Sequence, residues 1–273
     1  MTKRVLALFV IALASLTLCG NAAAEPDIVG GTDADQPYPF AVSLHSQSGR
    51  LFCAGALVTP TWVVTAAHCV FDKTPAAVTA RVGTNDVGQG GEVEQAAEIL
   101  VNPAFDPDVP AGDIALVRLA EPVKAAPIVP AAAAAPGTAT RLLGWGQTCP
   151  TPNCGKIPTV LQQLDTHIVE GTKCTAVFDG RVELCTDNPD GKAGSCYGDS
   201  GSPEITRSGG IRGGRSPLWR GPGGGAPEDT DHWLLVGITS RPGNGDSTCA
   251  TAPSIYTSVV AYAPWILEKT KAR

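Results

Sequence analysis

Short apolar runs recur along most of the chain, and each is bounded by glycine, proline, aspartate or threonine. Runs this short that are rich in β-branched and large apolar residues are typical of β-strands. Glycine (31 residues) and proline (23 residues) also interrupt the chain too often for long helices. The pattern therefore predicts a largely β protein, with strands at 40–44, 56–58, 62–65, 114–119 and 233–239.

Two segments depart from this strand pattern. Residues 125–137 are rich in alanine and proline, and we interpret them as a surface connection between two β domains of similar size. One helix is expected at the C-terminus, where Pro264 suits a first helical turn and basic residues follow. Cations are favourable near the end of a helix, and those expected there are Lys269, Lys271 and Arg273.

Residues 207–231 form a low-complexity segment of glycines, interspersed arginines and three acidic residues. This composition favours a long flexible hairpin loop, with a binding exosite as the alternative. A phosphate-binding loop is not expected, because no strand-then-helix context surrounds these glycines.

The first 24 residues are organised like a secretory signal peptide. Lys3 and Arg4 precede an uncharged apolar run at 5–18, and alanines at 22–24 supply the small residues that signal peptidases accept. The run is shorter than the roughly 20 residues that a membrane-spanning helix needs, so a membrane anchor is the weaker alternative. We expect residues 1–24 to be removed and the protein to be secreted, with no stable membrane association.

Nine cysteines are present, and only Cys19 lies in the expected signal peptide. An even set in an exported chain indicates up to four disulfides, with 105 possible pairings from the number alone. A zinc site is the alternative, but no Cys-x-x-Cys pair occurs and the four histidines are scattered, so we expect no metal. The formal net charge of −6 is not that of a nucleic-acid-binding protein.

Three polar residues carry the candidate chemistry. Ser200 lies between glycines in the segment 198–203, where backbone N–H groups can approach a substrate oxygen. His68 follows the strand at 62–65, and Asp113 precedes the strand at 114–119. Alone, each has an ordinary structural role as a turn serine, a half-buried histidine or a strand-capping aspartate. Together they provide the nucleophile, the base and the orienting carboxylate needed to deprotonate a hydroxyl, in the chain order His, Asp, Ser.

The motifs around these residues resemble those of the chymotrypsin–trypsin family of serine peptidases. The resemblance implies an all-β fold of two antiparallel β-barrels, at 28–130 and 138–273, with a C-terminal helix in the second part and the site in the cleft between the barrels. It covers essentially all of residues 28–273. The matching segments are Ile28-Val29-Gly30-Gly31, Ala66-Ala67-His68-Cys69, Asp113-Ile114-Ala115-Leu116, 198–203, 253–257 and Trp265-Ile266.

The resemblance assigns a role to each candidate residue. His68 would be the general base, Asp113 its orienting carboxylate and Ser200 the nucleophile of acyl transfer from a peptide bond. The backbone N–H groups of Gly198 and Ser200 would form the oxyanion hole, and Ser240 would support Asp113. We expect protein or peptide substrates, no cofactor, proteinaceous protease inhibitors as further partners, and a monomer.

The resemblance also locates the substrate pocket. Gly194 stands where trypsins carry an aspartate that pairs with Lys or Arg, and an unpaired substrate cation would be costly to bury. A neutral pocket that prefers apolar residues is therefore expected, unless Asp190 or Asp246 folds into it from loops of altered length. The expected pocket residues are Gly194, Ser195, Tyr197, Ser240 and Ser254.

Four disulfides are implied by the resemblance. Three follow the family pairing, and the remaining two cysteines are left to pair locally. The expected pairs are Cys53–Cys69, Cys174–Cys185, Cys196–Cys249 and Cys149–Cys154.

Activation is implied as well. In the family, cleavage before the residue that is Ile28 here frees an amino group that pairs with the aspartate before the nucleophile, Asp199. Residues 25–27 would then be a short propeptide. The cut would follow Asp27 rather than a basic residue, so we expect trimming by another exported peptidase rather than self-cleavage.

Several positions differ from the family. Ser202 stands in place of a glycine, Arg241 replaces a tryptophan, and the segment 240–249 is longer than usual. The loop at 207–231 is a large insertion, and the acidic pattern of the calcium loop is absent around 82–94, so we expect no bound calcium.

Two other function classes compete with an active peptidase. A catalytically inactive binding protein on the same fold usually lacks the histidine or the serine, whereas His68, Asp113 and Ser200 are all present. An esterase of the α/β-hydrolase type would have the order Ser, Asp, His and a Gly-x-Ser-x-Gly elbow, which this chain lacks. The sequence therefore favours a serine endopeptidase.

Overall fold

A computed structural model describes residues 28–109, 111–155, 157–210 and 232–271. The expected signal peptide and propeptide lie outside the described residues, as does most of the glycine- and arginine-rich segment. The strands of the described residues are β1 (Thr32–Asp33), β2 (Ala41–His45), β3 (Leu51–Thr59), β4 (Trp62–Thr65), β5 (Thr79–Val82), β6 (Glu92–Val101), β7 (Ala115–Leu119), β8 (Val129–Pro130), β9 (Ala139–Gly144), β10 (Gln162–Val169), β11 (Glu183–Thr186), β12 (Pro203–Arg207), β13 (Trp233–Pro242) and β14 (Ser254–Ser258). The helices are α1 (Ala67–Val70) and α2 (Val259–Thr270), with short 3₁₀ turns at Pro75–Ala77, Gly171–Lys173, Pro189–Gly191 and Ser208–Gly210.

The first barrel is a closed antiparallel sheet in the order β2-β3-β4-β7-β6-β5. Its interior is filled by residues of the apolar runs, such as Leu57, Val63 and Leu116, all of which are fully buried. The five strands expected from the sequence are all present, and the run at 62–65 coincides with β4. Because the sheet closes on itself around these buried runs, the barrel has no free edge strand.

The second barrel also closes on itself. Its strands pair in the order β10-β11-β14-β13-β12-β9, and β9 pairs again with β10. All these pairs are antiparallel. The expected fold, two antiparallel β-barrels of the chymotrypsin type with a C-terminal helix, is therefore confirmed.

The chain crosses between the barrels at both ends of the range expected for the first barrel. β1 pairs with β10, and β8 pairs in parallel with β13, so both short strands extend the second barrel. The alanine- and proline-rich segment is also less superficial than a surface connection, because Ile128 and Ala131 are buried. The Ile128 N–H donates to the Leu57 carbonyl and the Ala131 N–H to the Leu235 carbonyl (both 2.9 Å), so the segment is bonded to both barrels, which the composition alone does not indicate.

The C-terminal helix begins earlier than expected. The Ser258 hydroxyl caps it by accepting a hydrogen bond from the Ala261 N–H (3.2 Å), so α2 starts at Val259 and Pro264 lies in its second turn. The serine cap therefore determines where the helix starts. The helix tolerates Pro264, because the fixed φ of proline is helical and only one backbone carbonyl loses its hydrogen bond. Lys269 lies in the last turn, where a cation was expected.

Candidate active site

His68 is delivered to the cleft by the end of β4. The Thr65 hydroxyl donates to the Ala54 carbonyl (2.6 Å), which fixes the point where the chain leaves the barrel and enters α1. The disulfide Cys53–Cys69 then ties the residue after His68 to β3. The imidazole is about one-third exposed, so it is anchored from behind and open in front.

Asp113 holds this imidazole by two atoms. The His68 Nδ1–H donates to Asp113 Oδ2 (2.8 Å), and the His68 backbone N–H donates to Oδ1 (2.9 Å). An ionised carboxylate only accepts hydrogen bonds, so the proton lies on Nδ1 and leaves Nε2 free to act as a base. Burial raises the pKa of Asp113, but the hydrogen bonds from His68 and from Ser240 oppose it, and the pKa is lowered overall.

The second barrel holds Asp113 in place. The Ser240 hydroxyl donates to Asp113 Oδ2 (2.6 Å), and the Thr257 hydroxyl donates to the Asp113 carbonyl (2.9 Å). Ser240 thus lies where the resemblance placed it. Thr257 was not expected, because its contact is with the backbone and depends on how the barrels pack.

Ser200 lies on the turn that leads into β12. Its carbonyl accepts from the Ala54 N–H (2.8 Å), and Gly201, at φ +78°, lies so close to Ala54 and Thr65 that a Cβ atom would clash. This close approach brings Ser200 beside the strands that position His68. Among the described residues the Ser200 hydroxyl makes no hydrogen bond, which is common for a candidate nucleophile before substrate binds.

Two backbone amides beside Ser200 are available to a ligand. The N–H groups of Asp199, Gly201 and Ser202 donate to protein carbonyls, whereas those of Gly198 and Ser200 have no acceptor within the described residues. Gly198 has φ +101°, a conformation that favours glycine. The arrangement suits an oxyanion, since donors kept free of protein acceptors can meet a developing charge.

Asp199 is completely buried behind these amides. It accepts from the backbone N–H groups of Cys196 (2.8 Å) and Gly146 (2.7 Å). Burial raises its pKa to about 7, against the effect of both hydrogen bonds. A buried carboxylate of this kind is stabilised by a cation.

Ile28, the expected partner of Asp199, is also buried. The Val29 carbonyl next to it accepts from the Gly194 N–H (2.9 Å), which draws the segment to the one that carries Asp199. No hydrogen bond joins Ile28 and Asp199 in the part of the chain that the structure describes. In this sequence Ile28 carries a peptide nitrogen rather than a free amino group.

A cavity of about 200 Å³ opens beside Ser200. Four of the residues expected to form the substrate pocket line this cavity, namely Ser195, Tyr197, Ser240 and Ser254. The hydroxyls of Ser195 and Ser254 lie 3.0 Å apart. Gly194 is not a lining residue; it lies behind the wall, bonded to Val29. The long segment that follows Ser240 supplies further wall residues, namely Pro242, Asn244, Thr248, Thr251 and Ala252.

The described lining of this cavity contains no carboxylate. Asp190 and Asp246, the alternatives considered from the sequence, are both exposed, and Asp246 instead accepts from the Thr248 N–H (2.8 Å). Arg241 is the charged residue of the wall, and its Nη1 donates to Glu183 Oε1 (2.7 Å). Sequence reasoning missed Glu183, because nothing local in its strand signals a partner on β13.

A second cavity of about 350 Å³ lies on the other side of His68 and Ser240. Its apolar lining comes from Phe71, Phe105 and Val109, and its charged lining residues are Asp106, Asp108, Asp113 and Arg241. Ser240 and Arg241 line both cavities, so the two cavities lie on either side of this part of β13.

The structure contains four disulfides. Their pairs are Cys53–Cys69, Cys149–Cys154, Cys174–Cys185 and Cys196–Cys249, the same as those implied by the resemblance. The sulfurs of Cys53 and Cys69 lie near His68, but they are bonded to each other and are not thiolate ligands for a metal. Within the described ranges, no helix is both long and apolar enough to cross a membrane.

Comparison with known proteins agrees with this geometry. The family model described as Trypsin matches residues 28–266. The chain is 30% identical over 260 residues to "Trypsin" of Saccharopolyspora erythraea, and the alignment covers 90% of this chain and 99% of that protein. It is 35% identical over 211 residues to "Serine protease 1" of Rattus norvegicus, and this alignment covers 71% of this chain and 82% of that protein. The chain therefore belongs to the trypsin family of serine endopeptidases.

Proposed function

We propose that the protein is a secreted endopeptidase that uses Ser200 as its nucleophile, His68 as its general base and Asp113 to orient the base. The observation that carries this proposal is the pair of hydrogen bonds from His68 to Asp113, which leaves Nε2 as the proton acceptor. Peptide bonds are cleaved through an acyl-enzyme, and no cofactor takes part.

The reaction follows from these positions. His68 Nε2 removes the proton of Ser200 as Oγ attacks the peptide carbonyl, and the amides of Gly198 and Ser200 receive the oxyanion. Collapse of the tetrahedral intermediate breaks the C–N bond, and the leaving amine takes the proton from His68. Water then attacks the acyl-enzyme by the same route and frees Ser200.

An active-site-directed fluorophosphonate tests this assignment. The mature protein should form one stoichiometric adduct by mass spectrometry, and Ser200→Ala and His68→Ala should abolish it. Ser48→Ala, at an exposed loop serine, is the matched control and should label normally. Labelling that survives Ser200→Ala would exclude the mechanism, and a wild-type protein that never labels would favour an inactive binding protein.

The proposed substrate residue before the cleaved bond is apolar. The support is the lining of the 200 Å³ cavity, where Ser195 and Ser254 supply hydroxyls and no described acid contributes a charge. A panel of chromogenic peptides that differ only at this residue measures the preference. A preference of about tenfold or more for Arg or Lys over Phe and Leu would contradict a neutral pocket, since tenfold corresponds to about 1.4 kcal/mol.

Secretion and activation complete the proposal. Removal of residues 1–24 and then 25–27 leaves Ile28 as the N-terminus, and its amino group pairs with the buried Asp199. The mature protein is proposed to be a monomer without stable membrane association, open to proteinaceous inhibitors. N-terminal sequencing of the exported, active protein tests this; full activity with Glu25 still present would contradict it.

A further inference from the structure

An unusual charged pair lies directly behind the catalytic aspartate. Arg241 Nη1 donates to Glu183 Oε1 (2.7 Å), and Nη2 donates to the Val177 carbonyl (2.6 Å). The Glu183 side chain is only 2% exposed and that of Arg241 is 21% exposed. Glu183 Oε2 also accepts from the Asp179 N–H (2.8 Å), so the carboxylate is held from two sides.

The guanidinium reaches the catalytic residues through one hydroxyl. Arg241 Nη1 also donates to Ser240 Oγ (3.3 Å), and Ser240 Oγ donates to Asp113 Oδ2 (2.6 Å). The second distance is in the short range typical of a hydroxyl bonded to an ionised carboxylate. The chain of contacts therefore runs without a break from Glu183 to His68.

The direction of the hydrogen bonds gives this series of contacts a function. A guanidinium has only donors, so Ser240 Oγ must accept from it and cannot direct its own proton that way. The single proton of Ser240 is then directed to Asp113. A serine without the arginine could rotate its hydroxyl to other acceptors, and Asp113 would lose a donor for part of the time.

We propose that Arg241, held by Glu183, is a positioning residue for catalysis: it fixes the Ser240 hydroxyl as a donor to Asp113 and so keeps Asp113 in place to orient His68. This inference rests on the proposed function, because it assumes that His68 and Ser200 perform acyl transfer. The same arginine lines both cavities, so an effect on positioning must be separated from an effect on substrate contact.

A small dialkyl fluorophosphonate makes that separation. It reacts at Ser200 but has no peptide to contact the cleft walls, so its second-order inactivation rate reports on the catalytic residues alone. In parallel, kcat and KM are measured with one chromogenic peptide. A positioning role lowers the inactivation rate and kcat and leaves KM within about twofold, because only the transition state loses an interaction.

Two sets of variants address folding and charge. Arg241→Lys preserves the buried ion pair, because it keeps a cation beside Glu183. It replaces the rigid guanidinium with a single ammonium group, which cannot hold Glu183 and Ser240 in the same geometry. The double variant Arg241→Met with Glu183→Met removes both charges together, which leaves no unpaired buried ion. We expect about tenfold slower inactivation for the double variant and a smaller loss for Arg241→Lys.

The decisive comparison repeats Arg241→Lys and the double variant in a Ser240→Ala background. If Arg241 acts through Ser240, these substitutions have no further effect once the hydroxyl is gone. Equal losses in both backgrounds, or a rise in KM with normal inactivation by the fluorophosphonate, would overturn the proposal.

Arg118→Met is the matched control, because it removes an arginine from an ion pair with Glu98 (3.1 Å) on the first barrel. It should inactivate at the wild-type rate, and an equal loss in this variant would overturn a specific role for Arg241. A wild-type protein that the reagent does not label would instead overturn the proposed function itself, so the two failures are distinguishable.

Discussion

Glu204 is expected to make the folded protein lose stability as the pH rises. It lies in β12 with its side chain completely buried inside the second barrel. The Thr186 hydroxyl donates to Oε1 (2.9 Å), while Oε2 has no hydrogen-bond partner among the described residues. Burial is the main cause that raises the pKa of Glu204 from 4.5 to about 7, and hydrogen bonding only partly opposes it.

The size and sign of the effect follow from this shift. The folded state holds the proton to about pH 7, whereas the unfolded chain releases it near pH 4.5. The stabilisation is therefore fully present below about pH 4.5 and is lost as the pH rises through about 7, a change of about 3 kcal/mol. Glu204→Gln should remove this change, because the amide has a similar shape and does not titrate.

Urea unfolding at pH 5 and pH 8, in a Ser200→Ala background to prevent self-digestion, measures the difference. The free energy of unfolding of Glu204→Gln minus that of the parent should be about 2 to 3 kcal/mol larger at pH 8 than at pH 5. Asp199 titrates in the same direction, but it is present in both proteins and cancels. Glu121→Gln, at an exposed site, is the control. A gain for Glu204→Gln that is equal at both pH values would refute the reasoning.

Four further outcomes are expected. If the Ile28 amino group pairs with Asp199 as proposed, Asp199→Asn should abolish most activity. The processed protein should then lose activity reversibly in alkaline solution, because a carboxylate partner would raise the pKa of that amino group above its free value of about 8. Active-site titration across pH measures this, and a flat alkaline limb would contradict it. Ser254→Asp should shift the substrate preference towards Arg by about tenfold or more on the chromogenic panel, since it adds a carboxylate at the cavity wall, whereas Asp246→Asn should change nothing. Gly201→Ala should lower the free energy of unfolding by about 2 to 4 kcal/mol in urea, because the new Cβ meets Thr65 and Ala54 at a positive φ; an unchanged midpoint would refute the close approach.

The parts of the site that were predictable from the sequence are those encoded locally. The strand at 62–65 and the residues that follow it place His68, and the glycines around Ser200 indicate a tight turn, so each motif carries its own conformation. α2 starts five residues before Pro264, because the Ser258 hydroxyl caps the helix and the proline is accommodated inside it.

The features that could not be predicted from the sequence depend on packing between distant segments. Glu183 and Arg241 are 58 residues apart, and only the register of β11, β14 and β13 brings them together. Glu204 resembles any charged residue of an alternating strand until the barrel closes around it. The crossing of β1 to the second barrel is likewise set by long-range pairing and leaves no periodic signal.

β1, near the start of the described chain, lies on the second barrel, and this has a consequence for how the molecule assembles. There the Asp33–Gln162 contact closes a loop of 129 residues. At the other end, α2 packs on β13, and its Val259 and Ile266 belong to a buried cluster that spans both barrels and includes Leu57 of the first and Leu235 of the second. This shared cluster is complete only when both ends of the described chain are in place, so we expect the two barrels to unfold in a single transition. Contacts of such long sequence separation form slowly, because the chain entropy is lost before the contact is gained, and we therefore expect folding to be slow and to finish only after the C-terminal helix has been synthesised.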